Sequence, residues 1–409
     1  MRVLHINTYD TGGAAIAAIR IHKALLKEGV DSKILFTKIN RTDIPESFAY
    51  PKRKISFIRR QYLKLAVRLG SSASIWDANQ AKLKGKIEGF ESFTFPTSDY
   101  DITSLEIYQQ ADIIHLHWIS DFIDYSFFSK NCKPIVWTLH DMNPFTGGCH
   151  NSMHCNEYRN SCSICPQLKG VKNESYSNLN LFYKKQFIAN SNLSIVCLSD
   201  WMYENSMQST LFKNFPHSRI DHCIDQTIFK PLNKEYCREI LNLPKDKFIL
   251  LTLIDRFNKG KGSDLLFETI NNLNQEILFC TVGKNPKNDK IIYLGSIADE
   301  RLIAVLYSAV DAIVIPSREE NSPNTIIEAL SCGTPVIAFP IGGIPDHVQT
   351  GITGILAESI SSKSLKKAIL EFVSGHIEFS KSEIRKIALA KFDMKEQVKK
   401  YVDIYQQKL

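Results

Sequence analysis

At 409 residues, with 44% hydrophobic and 23% charged side chains, the chain is too long for one hydrophobic core, suits two domains, and excludes a disordered or low-complexity protein. A net charge of +7 is modest for this length; it points weakly to anionic partners such as phosphates or lipid headgroups and does not argue nucleic-acid binding. No run reaches the roughly 20 apolar residues that span a bilayer, and the opening Met1-Arg-Val-Leu-His-Ile-Asn has no signal-peptide core, so the expectation is a cytoplasmic protein whose ten cysteines serve burial or metal ligation rather than disulfides.

In chain order, short apolar runs at 2–7, 31–37, 112–117, 134–140 and 193–199 read as strands, and their unbroken hydrophobicity suits a parallel sheet covered on both faces. Between the first two, Ala14, Ala17, Ala18, Ile21 and Leu25 form one helical stripe that ends where Gly29 can cap it. Residues 52–68 are basic and amphipathic: Ile55, Ile58, Tyr62 and Leu65 share a face opposite Arg53, Arg60 and Lys64, which fits a membrane surface as well as a solvated face over a core helix. The Asp99-Tyr-Asp101 triplet has metal-chelating spacing but sits in a polar linker and is read as a chance match.

The strand at 134–140 ends in Thr138-Leu-His140-Asp141, and the carboxyl ends of strands in an open α/β sheet face the ligand crevice, which makes His140 a catalytic candidate. His115 and His117 on the preceding strand read as packing residues. Cys149, Cys155, Cys162 and Cys165, spaced C-x5-C-x6-C-x2-C, offer four thiolates in one loop, enough for a structural zinc; a reduced or redox-active cluster is the open alternative.

The second half repeats the strand–helix alternation, with strands at 248–254, 277–283, 291–295, 311–317 and 334–340. The pattern lapses at 216–231, and the expected division is residues 1–222 for a first Rossmann-like domain, 223–390 for a second and 391–409 for a terminal helix packing back on the first. That helix opens with Asp393 and Glu396 at capping-box spacing.

The most informative stretch is Pro316-Ser-Arg-Glu-Glu320-Asn-Ser-Pro-Asn-Thr-Ile-Ile-Glu328, which leaves a strand, crosses a polar loop and enters a helix. Glu320 lies before the helix and Glu328 more than a turn inside it, so the two carboxylates can serve different parts of one ligand, while the first-turn amides suit a diphosphate. Taken alone, a capped helix with solvent-facing glutamates is the better explanation of the pair. Upstream, Asp255-Arg256-Phe-Asn-Lys-Gly-Lys261-Gly262 follows the first strand of the second half with two cations, Arg256 and Lys261; taken alone, a solvated basic turn explains it better.

Together these two stretches resemble the E-x7-E signature and the R-x4-K-G loop of glycosyltransferase family 4. The resemblance implies a GT-B fold, two doubly wound α/β Rossmann-like domains facing across a cleft, with 1–222 acceptor-binding and 223–390 nucleotide-sugar-binding, and sugar transfer from a nucleotide diphosphate donor to a glycan acceptor with retention. It implies that Arg256 and Lys261 hold the donor diphosphate, that Asn321, Ser322, Asn324 and Thr325 line the diphosphate and sugar pocket, that Glu328 takes the ribose hydroxyls and that Glu320 serves the transferred sugar. Asp10-Thr-Gly12-Gly13 resembles the family's glycine loop, which adds Gly13 to the donor-binding residues, and the family's histidine at the His140 position contacts the donor sugar. No cofactor is implied for catalysis. A polyprenyl-diphosphate-linked acceptor, contact of residues 52–68 with the inner face of the plasma membrane, and a place in bacterial surface polysaccharide synthesis complete the expectation. A nucleotide-sugar epimerase, a non-catalytic scaffold and a zinc-containing nucleic-acid binder are the rival readings, the last lacking an aromatic and basic platform.

Overall fold

A computed structural model describes residues 1–51, 72, 74–86, 92–254, 259–273 and 277–409. Contacts divide the chain into two compact units: Met1–Cys197, Met202–Arg219 and Val398–Leu409 form the first, Leu198–Trp201 and Ile220–Gln397 the second.

The first unit is built on seven strands, β1 (Arg2–Ile6), β2 (Asp31–Phe36), β3 (Ser47–Ala49), β4 (Ile113–Leu116), β5 (Ile135–Leu139), β6 (Leu193–Cys197) and β7 (His217–Arg219), in the order β3-β2-β1-β4-β5-β6-β7. Every pairing is parallel. The second unit has six, β8 (Phe248–Ile254), β9 (Ile277–Gly283), β10 (Ile291–Tyr293), β11 (Ala312–Ile315), β12 (Val336–Ala338) and β13 (Gly354–Leu356), in the order β10-β9-β8-β11-β12-β13, again all parallel. Both are doubly wound Rossmann-like sheets, as expected.

Side chains alternate across a strand, and in the second unit the alternation is visible in the core. Ile249, Leu251, Ile313, Ile315, Val336 and Ala338 belong to one buried cluster. Leu250, Ala312, Val314 and Ile337 belong to another on the opposite face. Burial on both faces is why these strands read as continuous apolar runs. Three strands escape that reading: β3, β7 and β13 are three residues long and lie at or next to a sheet edge, where half-buried residues such as His217, Ser218 and Arg219 carry no apolar signal.

In each sheet the strand order reverses beside its first strand, between β1 and β4 and between β8 and β11. Loops leaving the carboxyl ends of those strands bind ligands in such sheets. Residues 259–262 lie beyond β8 and residues 316–323 beyond β11, and residues 7–12 leave β1. The final helix, Met394–Lys408, starts at an Asp393 carboxylate that accepts the Glu396 N–H at 3.0 Å, the capping interaction expected of that spacing. Its Tyr401 and Tyr405 are fully buried in the first unit. Among the described residues, no helix is long and apolar enough to cross a membrane.

Candidate active site

In the second unit the loops after β8 and β11 are stitched together by backbone. Gly262, at φ +68°, caps the helix Ser263–Asn271, and a Cβ there would stand 1.8 Å from the Pro316 carbonyl oxygen, so only glycine lets the two loops touch. The Arg318 N–H donates to the Gly260 carbonyl at 2.8 Å, and its guanidinium forks onto Asp264 at 2.6 and 2.8 Å. That fork holds the Asp264 carboxyl below its usual range.

On this platform Lys261 Nζ lies 2.7 Å from Glu320 Oε1. The Ser317 hydroxyl donates to the same oxygen at 2.8 Å. One ammonium, one carboxylate and one hydroxyl therefore converge from positions 59 residues apart. The carboxylate is 15% exposed and the ammonium side chain 34%, so both remain within reach of a ligand.

The Glu320 loop is fixed from behind. Gly342, at φ +53°, would put a Cβ 1.7 Å from the Glu320 carbonyl oxygen, and Gly343 would put one 2.0 Å from that of Asn321. The Gly343 N–H donates to the Glu320 carbonyl at 3.1 Å. Ser199 donates to the Asn321 side-chain oxygen at 2.6 Å, His222 Nε2 donates to the Ser322 carbonyl at 3.0 Å, and Ser322 Oγ sits 2.9 Å from His347 Nε2. Ser199, His222, Gly342, Gly343 and His347 are absent from the expected site. The local signal that could have found the glycines is a Gly-Gly pair just past a buried strand.

The helix Asn324–Ser331 follows, with Pro323 at its N-cap and no side-chain cap there. Asn324 and Thr325 occupy its first turn, and Glu328 is buried at 7% exposure among Ile326, Ile327 and Ala329. A carboxylate among apolar neighbours needs a partner. The Tyr307 hydroxyl donates to Glu328 Oε2 at 2.8 Å, and Tyr307 is itself held through its carbonyl by Thr334. Lys261, Glu320, Asn321, Ser322, Asn324, Thr325 and Glu328 thus share one corner of the second unit; Arg256 lies outside the described residues.

Alanine at position 342 is expected to destabilise the second unit by about 2 kcal/mol, from its left-handed backbone and the overlap with the Glu320 carbonyl, lowering the melting temperature by roughly 5 °C. Gly351→Ala is the control: φ is +85° there and nothing lies within 4 Å of the added carbon, so calorimetric scans of the two variants separate backbone strain from lost space.

The first unit contains Gly13 and His140. Gly13 is exposed and opens the helix Gly13–Lys27, preceded by Gly12 at φ +93°. His140, partly exposed at the end of β5, has its Nε2 3.0 Å from His117 Nδ1, and burial lowers its pKa to about 4. The neighbouring Asp141 carboxylate accepts from the Trp118 indole at 2.7 Å, from His150 Nδ1 at 2.6 Å and from the Asn143 N–H at 2.9 Å. These bonds commit Asp141 and His150 to anchoring the loop that follows. The Asp99-Tyr-Asp101 triplet is equally committed: Asp99 accepts the Ile75 N–H, and Asp101 accepts both the N–H and hydroxyl of Thr103.

Cys149, Cys155, Cys162 and Cys165 are free thiols lining one small cavity with Phe93 and Tyr158. Tetrahedral zinc with bonds of about 2.3 Å would need sulfurs less than about 4 Å apart. Among the described residues, the group of three metal-capable side chains whose ligand atoms all lie within 4.8 Å is His5, His115 and His117, and the thiols do not form one. Residues 52–68 lie outside the described residues.

Beside this loop Lys184 is 1% exposed, donates to the Asn143 and Thr146 carbonyls, and has its pKa lowered by burial to about 7. Between pH 7 and the ordinary lysine range the unfolded chain holds this proton and the folded chain releases it, so its contribution to stability rises with pH across that window. Wild type should therefore gain on the order of 2 kcal/mol relative to Lys184→Met between pH 7 and 9, read from urea midpoints. The difference between the two proteins cancels the buried thiols, whose raised values act in the opposite direction.

Residues 249–374 match the family model described as glycosyl transferases group 1. The chain is 22% identical, over 99% of its length and the whole of the relative, to the putative colanic acid biosynthesis glycosyl transferase WcaC of Escherichia coli. It is 22% identical to the D-inositol 3-phosphate glycosyltransferase of Mycolicibacterium smegmatis over 67% of this chain and 64% of that one. Among solved structures, sucrose-phosphate synthase of Thermosynechococcus elongatus superposes with a TM-score of 0.69 at 20% identity, covering 99% of this chain and 98% of the other. Anabaena HepE in complex with UDP-glucose superposes at 0.67 and 16% identity, covering 98% and 99%. Over residues 249–374 the chain is thus similar to the group 1 glycosyl transferases, over its whole length to a putative glycosyl transferase, and its two Rossmann-like sheets are those of the GT-B fold.

Proposed function

We propose that this chain moves a sugar from a nucleoside diphosphate donor to a glycan carried on a polyprenyl diphosphate, with retention at the anomeric carbon, in bacterial surface polysaccharide synthesis at the inner face of the plasma membrane. The observation that carries the reading is the Lys261–Glu320–Ser317 cluster on the loops leaving β8 and β11, with Glu328 held by Tyr307 one helical turn away. The full-length likeness to a colanic acid glycosyl transferase supports the choice of pathway, and the UDP-glucose complex of HepE supports the donor class.

Breaking the bond between sugar and diphosphate leaves negative charge on the departing oxygen. The Lys261 ammonium neutralises it, with Arg256 as second cation, and the amides and side chains of Asn321, Ser322, Asn324 and Thr325 receive the phosphates. Glu328 binds the ribose hydroxyls. Glu320 faces the positive charge that develops on the sugar ring, and His140 donates a hydrogen bond to a sugar hydroxyl. The acceptor hydroxyl attacks the anomeric carbon from the face the diphosphate leaves; its proton passes to the departing phosphate oxygen, so one C–O bond forms as one breaks. Two cations make a catalytic metal unnecessary, so activity should persist in EDTA.

Product analysis tests this reading. Incubation with a nucleotide sugar and polyprenyl-diphosphate-linked glycans should add one sugar to the acceptor mass, with the donor's anomeric configuration seen by NMR. Donor isomerised without acceptor would mean an epimerase, and an unchanged donor with every acceptor would favour a scaffold.

A further inference from the structure

The strand β4 and its exit carry two histidines, His115 and His117, in a sheet whose neighbouring positions are aliphatic, and β1 brings a third, His5, into register beside His115. All three are at most 1% exposed. Burying three imidazoles in a parallel-sheet core costs free energy unless their nitrogens are paired. His5 Nδ1 lies 2.9 Å from His117 Nε2, and His117 Nδ1 lies 3.0 Å from His140 Nε2, so the rings form a line that runs from the core to the end of β5. His115 stands aside from the line. Its Nδ1 meets the Tyr405 hydroxyl at 2.6 Å and its Nε2 meets Thr138 Oγ1 at 2.8 Å, while its ring packs 4.2 Å, centroid to centroid, from that of His117.

The nitrogens of His115 and His117 are thus engaged at both positions, which makes the trio a hydrogen-bonded assembly rather than a set of ligands for an ion. Burial pushes His5, His115 and His117 well below the usual imidazole range, so each carries one ring proton. The position of that proton is then a matter of counting. At the inner end of the line, His5 Nε2 is buried without a hydrogen-bond partner. A buried N–H left unpaired is costlier than a buried lone pair, so the His5 proton belongs on Nδ1. His5 then donates to His117 Nε2, which leaves the His117 proton on Nδ1, where it donates to His140 Nε2. His140 must in turn hold its proton on Nδ1.

We propose that His5 and His117 are positioning residues that fix the tautomer of His140, so that His140 meets its sugar as a hydrogen-bond donor through Nδ1. The donor role rests on the reading of His140 given above; the tautomer does not. Neutral histidine in water prefers the Nε2–H form, so the relay holds His140 in its less favoured tautomer.

The test is a two-bond proton–nitrogen correlation spectrum of the full chain labelled with nitrogen-15 histidine, with His140 assigned by its loss in His140→Ala. The expected spectrum shows His140 protonated at Nδ1 with a bare Nε2. His140 protonated at Nε2 in the wild-type protein overturns the proposal. In His117→Phe, which keeps the bulk and removes the donor, the Nε2–H form should appear and kcat should fall about tenfold at little change in donor KM, one lost hydrogen bond's worth. An unaltered His140 tautomer in a folded His117→Phe would also overturn it. Full activity in His140→Ala beside the expected wild-type spectrum would reject the donor role alone and leave the relay standing.

Discussion

Lys261→Ala is expected to lower kcat/KM by roughly 10²- to 10³-fold, the loss seen when one preorganised group facing developing charge is removed. The ammonium sits on a loop whose path is set by Gly262 against Pro316 and by the Arg318–Asp264 fork, none of which the substitution touches, so the fold should survive. The pair with Glu320 gives the prediction a second part. In the wild type the carboxylate shares its Oε1 between Lys261 and Ser317. Removing the ammonium leaves it beside incoming phosphates with only a hydroxyl, which adds repulsion to the lost attraction. Lys261→Ala/Glu320→Ala should therefore bind donor better than Lys261→Ala, while its kcat stays at least as low. Steady-state kinetics with donor-binding titrations on the three variants check both parts. Equal donor affinity in the single and double variants would mean that the two groups act independently.

Glu328→Ala is expected to weaken donor binding by roughly 10- to 100-fold, the worth of charge-assisted hydrogen bonds to ribose hydroxyls. Because Glu328 is 7% exposed and accepts from Tyr307, the substitution also removes the carboxylate acceptor of a buried hydroxyl and should cost about 1–3 kcal/mol of stability. Tyr307→Phe separates the two effects. It removes the same hydrogen bond while keeping the carboxylate, so it should lose a comparable amount of stability and little affinity. Urea unfolding and calorimetric titration with the free nucleoside diphosphate, measured on both variants, test the assignment; an equal loss of affinity in Tyr307→Phe would make Glu328 a structural residue.

The sequence discloses the parts of this site that lie close together in the chain. Glu320 and Glu328 straddle a loop-to-helix junction, and Lys261 follows a seven-residue apolar strand, so spacing places Lys261 and Glu320 beyond strand ends and Glu328 within the helix. The parts that hold them are illegible for a physical reason. Ser199 reaches Asn321 from 122 residues away and His222 reaches Ser322 from 100, and no local pattern encodes such a meeting. His115 and His117 alternate with Ile114 and Leu116 as packing residues would; only the register of β1 beside β4 reveals that His5 completes a chain ending at His140. The short strands β3, β7 and β13 were illegible because they do not stand in a longer apolar run, as the equally short β10 and β12 do. Donor base, sugar and acceptor are set by pocket shape and are carried by no motif.

The central claim is a metal-independent nucleotide-sugar site built on Lys261 and Glu328, and the direct test is thermal denaturation of wild type and Glu328→Ala with UDP-, GDP-, ADP- and dTDP-sugars, each with and without EDTA. A ligand that binds only the folded state raises the melting temperature, by about 2.7 kcal/mol of stability at a hundredfold excess over Kd. The account predicts stabilisation of the wild type by one donor class, unchanged by EDTA and lost in Glu328→Ala. A well-folded wild-type protein that no nucleotide sugar stabilises, or one stabilised only while a divalent metal is present, would contradict it.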